Sequence, residues 1–192
     1  ALDPVYLALD DCEDFVAAGG REALGDDARR QLDAAAHAPL VDWGAVAELK
    51  NRAIALAFEC FRRDEWEKKT VRSRQLTAFA KDHWSWLDDY ALFAVLHERF
   101  GKSWLEWPQR LRDRERGAIG AARAEHSDAF LRVQWVQWQL DLQWRRAPRE
   151  ASAVGVELMG DLPFVPGLDS ADVWANRKLF RTDQRVGTPP DD

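Results

Sequence analysis

Three stretches in which apolar residues recur every three or four positions confine this chain to a mainly helical fold. Val46, Leu49, Ala53, Leu56 and Cys60 make the first stripe, Trp86, Tyr90, Phe93 and His97 the second, and Leu131, Trp135, Trp138 and Leu142 the third. At 3.6 residues per turn each set lies along one helix face, and such a face needs a partner surface. Asp42 is placed as the N-cap of a helix reaching about residue 67, because its carboxylate can accept from the free amides of the first turn. The second stripe predicts a helix over residues 84–100, with Gly101 as its stop. The third predicts a long helix from about residue 118, which Pro148 should kink or end by removing a donor and clashing with the preceding turn. A short helix is expected over residues 26–36. Ser103 and Glu106 have capping-box spacing, although Pro108 limits that segment to a short turn before a new helix starts.

Two short stretches read as extended. Residues 4–9 alternate weakly and end in Asp10 and Asp11, before a polar segment containing Gly19, Gly20 and Gly25. Residues 154–159 (VGVELM) form an apolar run of strand length. A block of some four to six helices therefore lies between two strand candidates. That is neither the regular alternation of a complete βα barrel nor a repeat array. The second candidate ends in Gly160 and Asp161 and runs into a loop broken by Pro163, Pro166 and Gly167. A barrel strand delivers a carboxylate to its C-terminal rim in this way, and sugars and cofactors bind at that rim.

Composition excludes several classes of function. With 46% hydrophobic and 31% charged residues, the 192-residue chain has the balance of a globular protein of one domain with an appended piece. Its net charge of -6, with Lys and Arg scattered among acids, provides no basic stripe for a nucleic-acid backbone. No window approaches the roughly 18 to 20 apolar residues of a membrane helix, and no leader pattern opens the chain, so neither a membrane nor export is expected. Cys12 and Cys60 suggest neither a disulfide framework nor a zinc cluster, which is consistent with a reducing cytoplasm. His37, His83, His97 and His126 lie on separate segments without metal-ligand spacing, so no metal is expected. Serine-nucleophile elbows, glycine-rich phosphate loops and EF-hands are also missing. The chain opens Ala-Leu-Asp-Pro and has its single Met at position 159, so it reads as a fragment.

The candidate site lies after residue 160. Asp161 has two possible roles from its position: a turn-capping aspartate, or a rim carboxylate that accepts hydrogen bonds from a ligand. Asp169, Ser170 and Asp172 read locally as the start of a short helix, with Asp169 or Ser170 as its cap. Trp174 can offer a platform to a pyranose ring or pack into the fold. Trp86, Trp135 and Trp138 fall on stripes with Leu and Phe, where burial stabilises by on the order of 2 kcal/mol each. Trp43, Trp104 and Trp107, near helix ends and loops, are the candidates for exposed rings.

The run GDLPFVPGLDSADVWAN over residues 160–176 resembles the loop after an early barrel strand in the 4-alpha-glucanotransferases, the amylomaltase or disproportionating-enzyme family (glycoside hydrolase family 77). DPVYL at residues 3–7, WLDDYALF at 86–93 and GTPPD at 187–191 are similar to family segments in the same order. The resemblance implies a helical insertion plus flanking strands of a TIM (β/α)8 barrel of the alpha-amylase type. On that reading residues 1–20 flank the barrel, 21–153 form the insertion, and 154–192 supply a barrel strand and substrate-binding loops. It also implies that Asp161 hydrogen-bonds a bound sugar beside the scissile bond. Asp191 would contact substrate from a loop that closes over the donor sugar, although Asp192 stands where a common family form has an aromatic residue. Asp169, Ser170 and Trp174 complete the substrate-binding set. The implied substrates are maltooligosaccharides or other alpha-1,4-glucans, with no metal or organic cofactor. The first barrel strand would precede Ala1 and the catalytic carboxylates would follow Asp192, leaving the missing remainder of its own barrel as partner and the 192 residues inactive alone. The alternative from a different class is a noncatalytic helical module that binds glycan or protein.

Overall fold

The computed structural model describes residues 1–161 and 165–184. Among these residues every regular element is helical: α1 (Glu13–Ala17), α2 (Asp26–His37), α3 (Trp43–Phe61), α4 (Val71–Asp82), α5 (Trp84–Phe100), α6 (Gln109–Arg112), α7 (Arg116–Glu125), α8 (Ser127–Trp144), α9 (Ala147–Ala153) and α10 (Ala171–Ala175), with short 3-10 turns between them. Asp42 caps α3 as expected, its Oδ1 accepting from the Ala45 amide at 3.0 Å, and a π-helical turn over Arg62–Trp66 carries the chain on toward residue 67. Gly101, at φ +60°, ends α5 in the left-handed conformation that a Cβ disfavours.

The expected long helix from residue 118 is divided. α7 stops at Glu125, His126 leaves helical geometry at φ -112° and ψ 30°, and α8 begins at Ser127. Pro148 does not kink α8, which has already ended at Trp144. It sits in the first turn of α9, where its missing N–H has no helical partner to lose. α4 was not legible from the stripes, since Arg72, Arg74 and Gln75 dilute its apolar face.

Neither expected strand forms among the described residues. Residues 4–9 fold instead into 3-10 turns over Pro4–Tyr6 and Leu9–Asp11. The segment after Gly155 has no regular structure, and Val156, Leu158 and Met159 are exposed, Met159 at 96%. A strand is defined by hydrogen bonding to a neighbour, and no neighbouring strand is present among the described residues to supply it.

The chain forms two compact units. The first comprises Ala1–Asp82 and Gln134–Glu157, the second His83–Val133 and Leu158–Asp192, so residues 21–153 contribute to both. In the first unit Phe58 and Phe61 of α3 pack on Trp135 and Trp138 of α8, with ring centroids 5.8 to 6.1 Å apart, alongside buried Leu49, Ile54 and Leu76. α8 is buried on every side from Gln134 to Leu140, polar residues included. Two glutamines of α8, Gln137 and Gln143, have defined tasks. Gln137 accepts from the Leu2 amide at 2.9 Å and donates to the Leu2 carbonyl at 2.8 Å, and Gln143 grips both backbone groups of Ala8 in the same way. Lys50 adds bonds to the carbonyls of Val5 and Leu7. Side chains thus satisfy the backbone of the N-terminal segment where a strand partner otherwise would. Asp14 is 2% exposed and receives both terminal nitrogens of Arg72 and the Trp135 indole N–H, so its buried charge is paired and its oxygens are bonded.

Candidate functional site

The loop that begins at Gly160 belongs to the second unit, whose core contains Ala91, Leu92, Phe93 and Leu96 of α5 together with Trp104, Trp107, Phe130, Val173 and Trp174. Asp161 is exposed. The loop residues from 165 to 180 are fastened to the unit at several points. The Trp104 indole donates to the Leu168 carbonyl at 2.8 Å, and the Trp104 backbone N–H donates to Asp169 Oδ1 at 3.1 Å. His97 Nε2, in the last turn of α5, lies 3.1 Å from Asp169 Oδ2. Burial by itself would raise the Asp169 carboxyl, but the hydrogen bonds from His97, the Trp104 amide and Ser103 outweigh it and hold the group below its ordinary value. Both oxygens of Asp169 are therefore engaged within the protein.

Ser170 performs the capping role open to it. Its Oγ accepts from the Val173 amide at 3.3 Å and so closes the first turn of α10. Trp174 is fully buried: its indole N–H donates to the Leu111 carbonyl at 3.1 Å, and the Arg114 guanidinium lies 4.3 Å from its ring centroid. Phe93 and Trp107 are 5.9 and 5.6 Å from it, in tilted and edge-on arrangements that aromatic rings favour. Of its two possible roles, the ring here fills the packing one. Arg177 completes the fastening through Asp113 at 2.7 Å.

The expected exposed tryptophans divide. Trp43 is 59% exposed, whereas Trp104 and Trp107 are 1% and 2% exposed. Their N–H groups bond to the Leu168 and Lys102 carbonyls, which makes full burial affordable for an indole. Position near a helix end suggested a surface ring, and this loop covers Trp104 instead. Trp84 and Trp144 are also exposed, at 69% and 54%. Asp191, with the GTPPD segment, lies outside the described residues. In the sequence His97 is a member of a helix stripe and one of four histidines without metal-ligand spacing. Its partner Asp169 is 72 positions away, and no local spacing announces that pair.

A fastened loop that exposes Asp161 and Asp172, with Asp169 partly engaged by its own fold, can accept hydrogen bonds from a hydroxyl-rich ligand. It offers no nucleophile with an adjacent base, and no group of three or more His, Cys, Asp or Glu placed to hold a metal occurs among the described residues. Comparison with known proteins defines the class. The family model for 4-alpha-glucanotransferase, glycoside hydrolase family 77, matches residues 1–192, and the chain belongs to that family. It is 36% identical over 152 residues to the 4-alpha-glucanotransferase of Aquifex aeolicus, covering 76% of this chain and 30% of that protein. The enzyme of the same name from Thermus thermophilus is 34% identical over 159 residues, which cover 79% of this chain and 31% of the relative. The fold is similar to that of an amylomaltase from Streptococcus agalactiae solved in complex with acarbose, with a TM-score of 0.78 at 24% identity, over 98% of this chain and 37% of that one. The chain thus spans about a third of the length of the relatives it matches.

Proposed function

We propose that the chain serves a 4-alpha-glucanotransferase that cuts an alpha-1,4 link in a maltooligosaccharide and passes the glycosyl portion to the 4-hydroxyl of another glucan. The family match along all 192 residues carries this reading. The transfer is a retaining double displacement. A carboxylate nucleophile and a carboxylic acid that later acts as base stand about 5 Å apart across the bond, with a covalent glycosyl-enzyme between the two steps. These groups, and the (β/α)8 barrel that holds them, are assigned to parts of the protein other than the residues described above. No cofactor is needed.

The contribution of this chain is to bind and position sugar. Asp161 accepts hydrogen bonds from sugar hydroxyls, each such charge-assisted bond being worth about 1.5 to 3 kcal/mol. Asp191 acts from the second loop, while Asp169, Ser170 and Trp174 shape the first. Location in a reducing cytoplasm belongs to the same reading. The test is incubation of the full-length protein with maltotriose, where glucose and longer dextrins are expected and an unchanged substrate would overturn the proposal. Asp161→Asn should lower kcat more than it raises KM, because bonds that tighten as the ring flattens act in the transition state.

A further inference from the structure

We propose that a cavity in the second unit, lined by residues 112–114 and 174–179, binds the phosphate group of a phosphorylated sugar. Its volume is about 480 Å³, within the range of small-molecule pockets. In a chain of net charge -6, four of the nine lining residues are cations, Arg112, Arg114, Arg177 and Lys178, and only Asp113 is an acid. The two lining segments are joined directly. The Trp174 indole donates to the Leu111 carbonyl at 3.1 Å, and Arg177 Nη1 reaches Asp113 Oδ1 at 2.7 Å and the Arg112 carbonyl at 3.4 Å. The cations are therefore held near one another by the fold before any ligand arrives.

The partners of these cations decide which are available. Arg114 is committed to the fold, with Nη2 on Asp89 at 2.5 Å and its guanidinium over the Trp174 ring. Arg177 uses only Nη1, so its Nε and Nη2 have no partner among the described residues. Arg112 donates to a neutral group, the Leu105 carbonyl at 3.3 Å, and Lys178 is exposed; neither is ion-paired among the described residues. Two carboxylates, Asp113 and Asp89, thus answer four cations. Asp113 itself registers the surplus: the Arg177 hydrogen bond, helped by Gln109 and by the charges of Arg177 and Arg112, holds its carboxyl below the usual carboxylate range. A phosphate dianion matches the two unanswered charges, and its oxygens suit the open fork of Arg177 and the Lys178 ammonium. Asn176 gives its amide N–H to the Asp172 carbonyl, which leaves its Oδ1 to accept from a sugar hydroxyl. The choice of a sugar as carrier rests on the functional reading above, since glucose released by transfer is the substrate of reactions that phosphorylate it.

The experiment is calorimetric titration of the full-length protein with glucose 6-phosphate, inorganic phosphate and glucose at low ionic strength. Glucose 6-phosphate should bind with a dissociation constant below about 1 mM and should weaken as salt is added. Lys178→Gln combined with Arg112→Gln should weaken it by at least about tenfold, whereas Lys178→Arg should stay within about threefold of the parent. Thermal unfolding without ligand should be unchanged in Lys178→Gln, so a loss of binding there is not a loss of fold. Absence of saturable binding by glucose 6-phosphate, or undiminished affinity in the double variant, would overturn the site. Inorganic phosphate binding as tightly as glucose 6-phosphate would overturn the sugar as carrier. Phosphate-dependent binding in a protein that leaves maltotriose unchanged would sink the transferase reading and keep the anion site, so the two failures are told apart.

Discussion

Two aspartates show how different the duties of buried and half-buried carboxylates are. Asp14 is 2% exposed and holds Arg72 and Trp135 together, so its removal leaves the part-buried Arg72 guanidinium with only Glu13 and Glu65 beside it and takes the acceptor from a buried indole N–H. Breaking a buried pair from one side typically costs about 3 to 5 kcal/mol. Asp14→Ala is expected to lose stability of that order in chemical denaturation, and a loss under about 1 kcal/mol would show that Glu13 or Glu65, also beside Arg72, takes over the charge. Asp169 is depressed in the folded state despite its partial burial. A carboxyl with a lowered folded value contributes stability that is present above its unfolded pKa, about 4, and lost as pH falls through the lower folded value. The bond from Trp104 should therefore persist through mildly acid solution and fail only in stronger acid. Carbon NMR of the Asp169 carboxyl should give a midpoint below 4, and one at or above 4 would contradict the hydrogen-bond pattern.

Among the elements, α8 most repays attention, because its hydrophobic stripe was legible and its glutamines were not. Leu131, Trp135 and Trp138 are buried as the spacing predicts, but Leu142 at the end of the stripe is 38% exposed. Gln137 and Gln139 are equally buried, yet their roles differ. Gln137 satisfies both backbone groups of Leu2, whereas Gln139 accepts only the Cys12 thiol at 3.7 Å and its amide nitrogen has no partner among the described residues. Gln137→Leu should therefore cost about 1 to 2 kcal/mol and expose the Leu2 amide to hydrogen exchange. Gln139→Leu should be neutral or stabilising by about 1 kcal/mol, since it removes an unpaired buried donor. Denaturant midpoints of the two variants, moving in opposite directions or one staying fixed, check the distinction. Equal losses would refute it.

For the molecule as a whole, the helical content and the family relationship bear on what the 192 residues can do by themselves. Circular dichroism should be dominated by helix, well above the one-third typical of globular domains. Transfer from maltotriose should be undetectable with this chain alone, because a retaining reaction needs a nucleophile and an acid/base on opposite sides of the bond. Reproducible disproportionation by the purified chain would place that pair within it.

What the sequence by itself determined was local. The capping of α3 by Asp42, the span of α5 and its stop at Gly101, the short α2 and a start of α10 capped by Asp169 or Ser170 follow from spacing and from side chains that bond within a few residues of themselves, and the structure selects Ser170. The resemblance of residues 160–176 identified the family for the same reason, since an unbroken run carries its own register. What only the tertiary structure decided depends on partners far along the chain. A run such as VGVELM becomes a strand only beside another strand, and the described residues bring none to it. Trp104 and Trp107 were expected at the surface and are buried because their indoles find carbonyl acceptors, for Trp104 one 64 residues away. The His97 and Asp169 pair, separated by 72 positions, has no local trace at all. Hydrogen bonds between distant segments form only when packing has already brought the backbone together, so their energy enters after the local preferences have been settled.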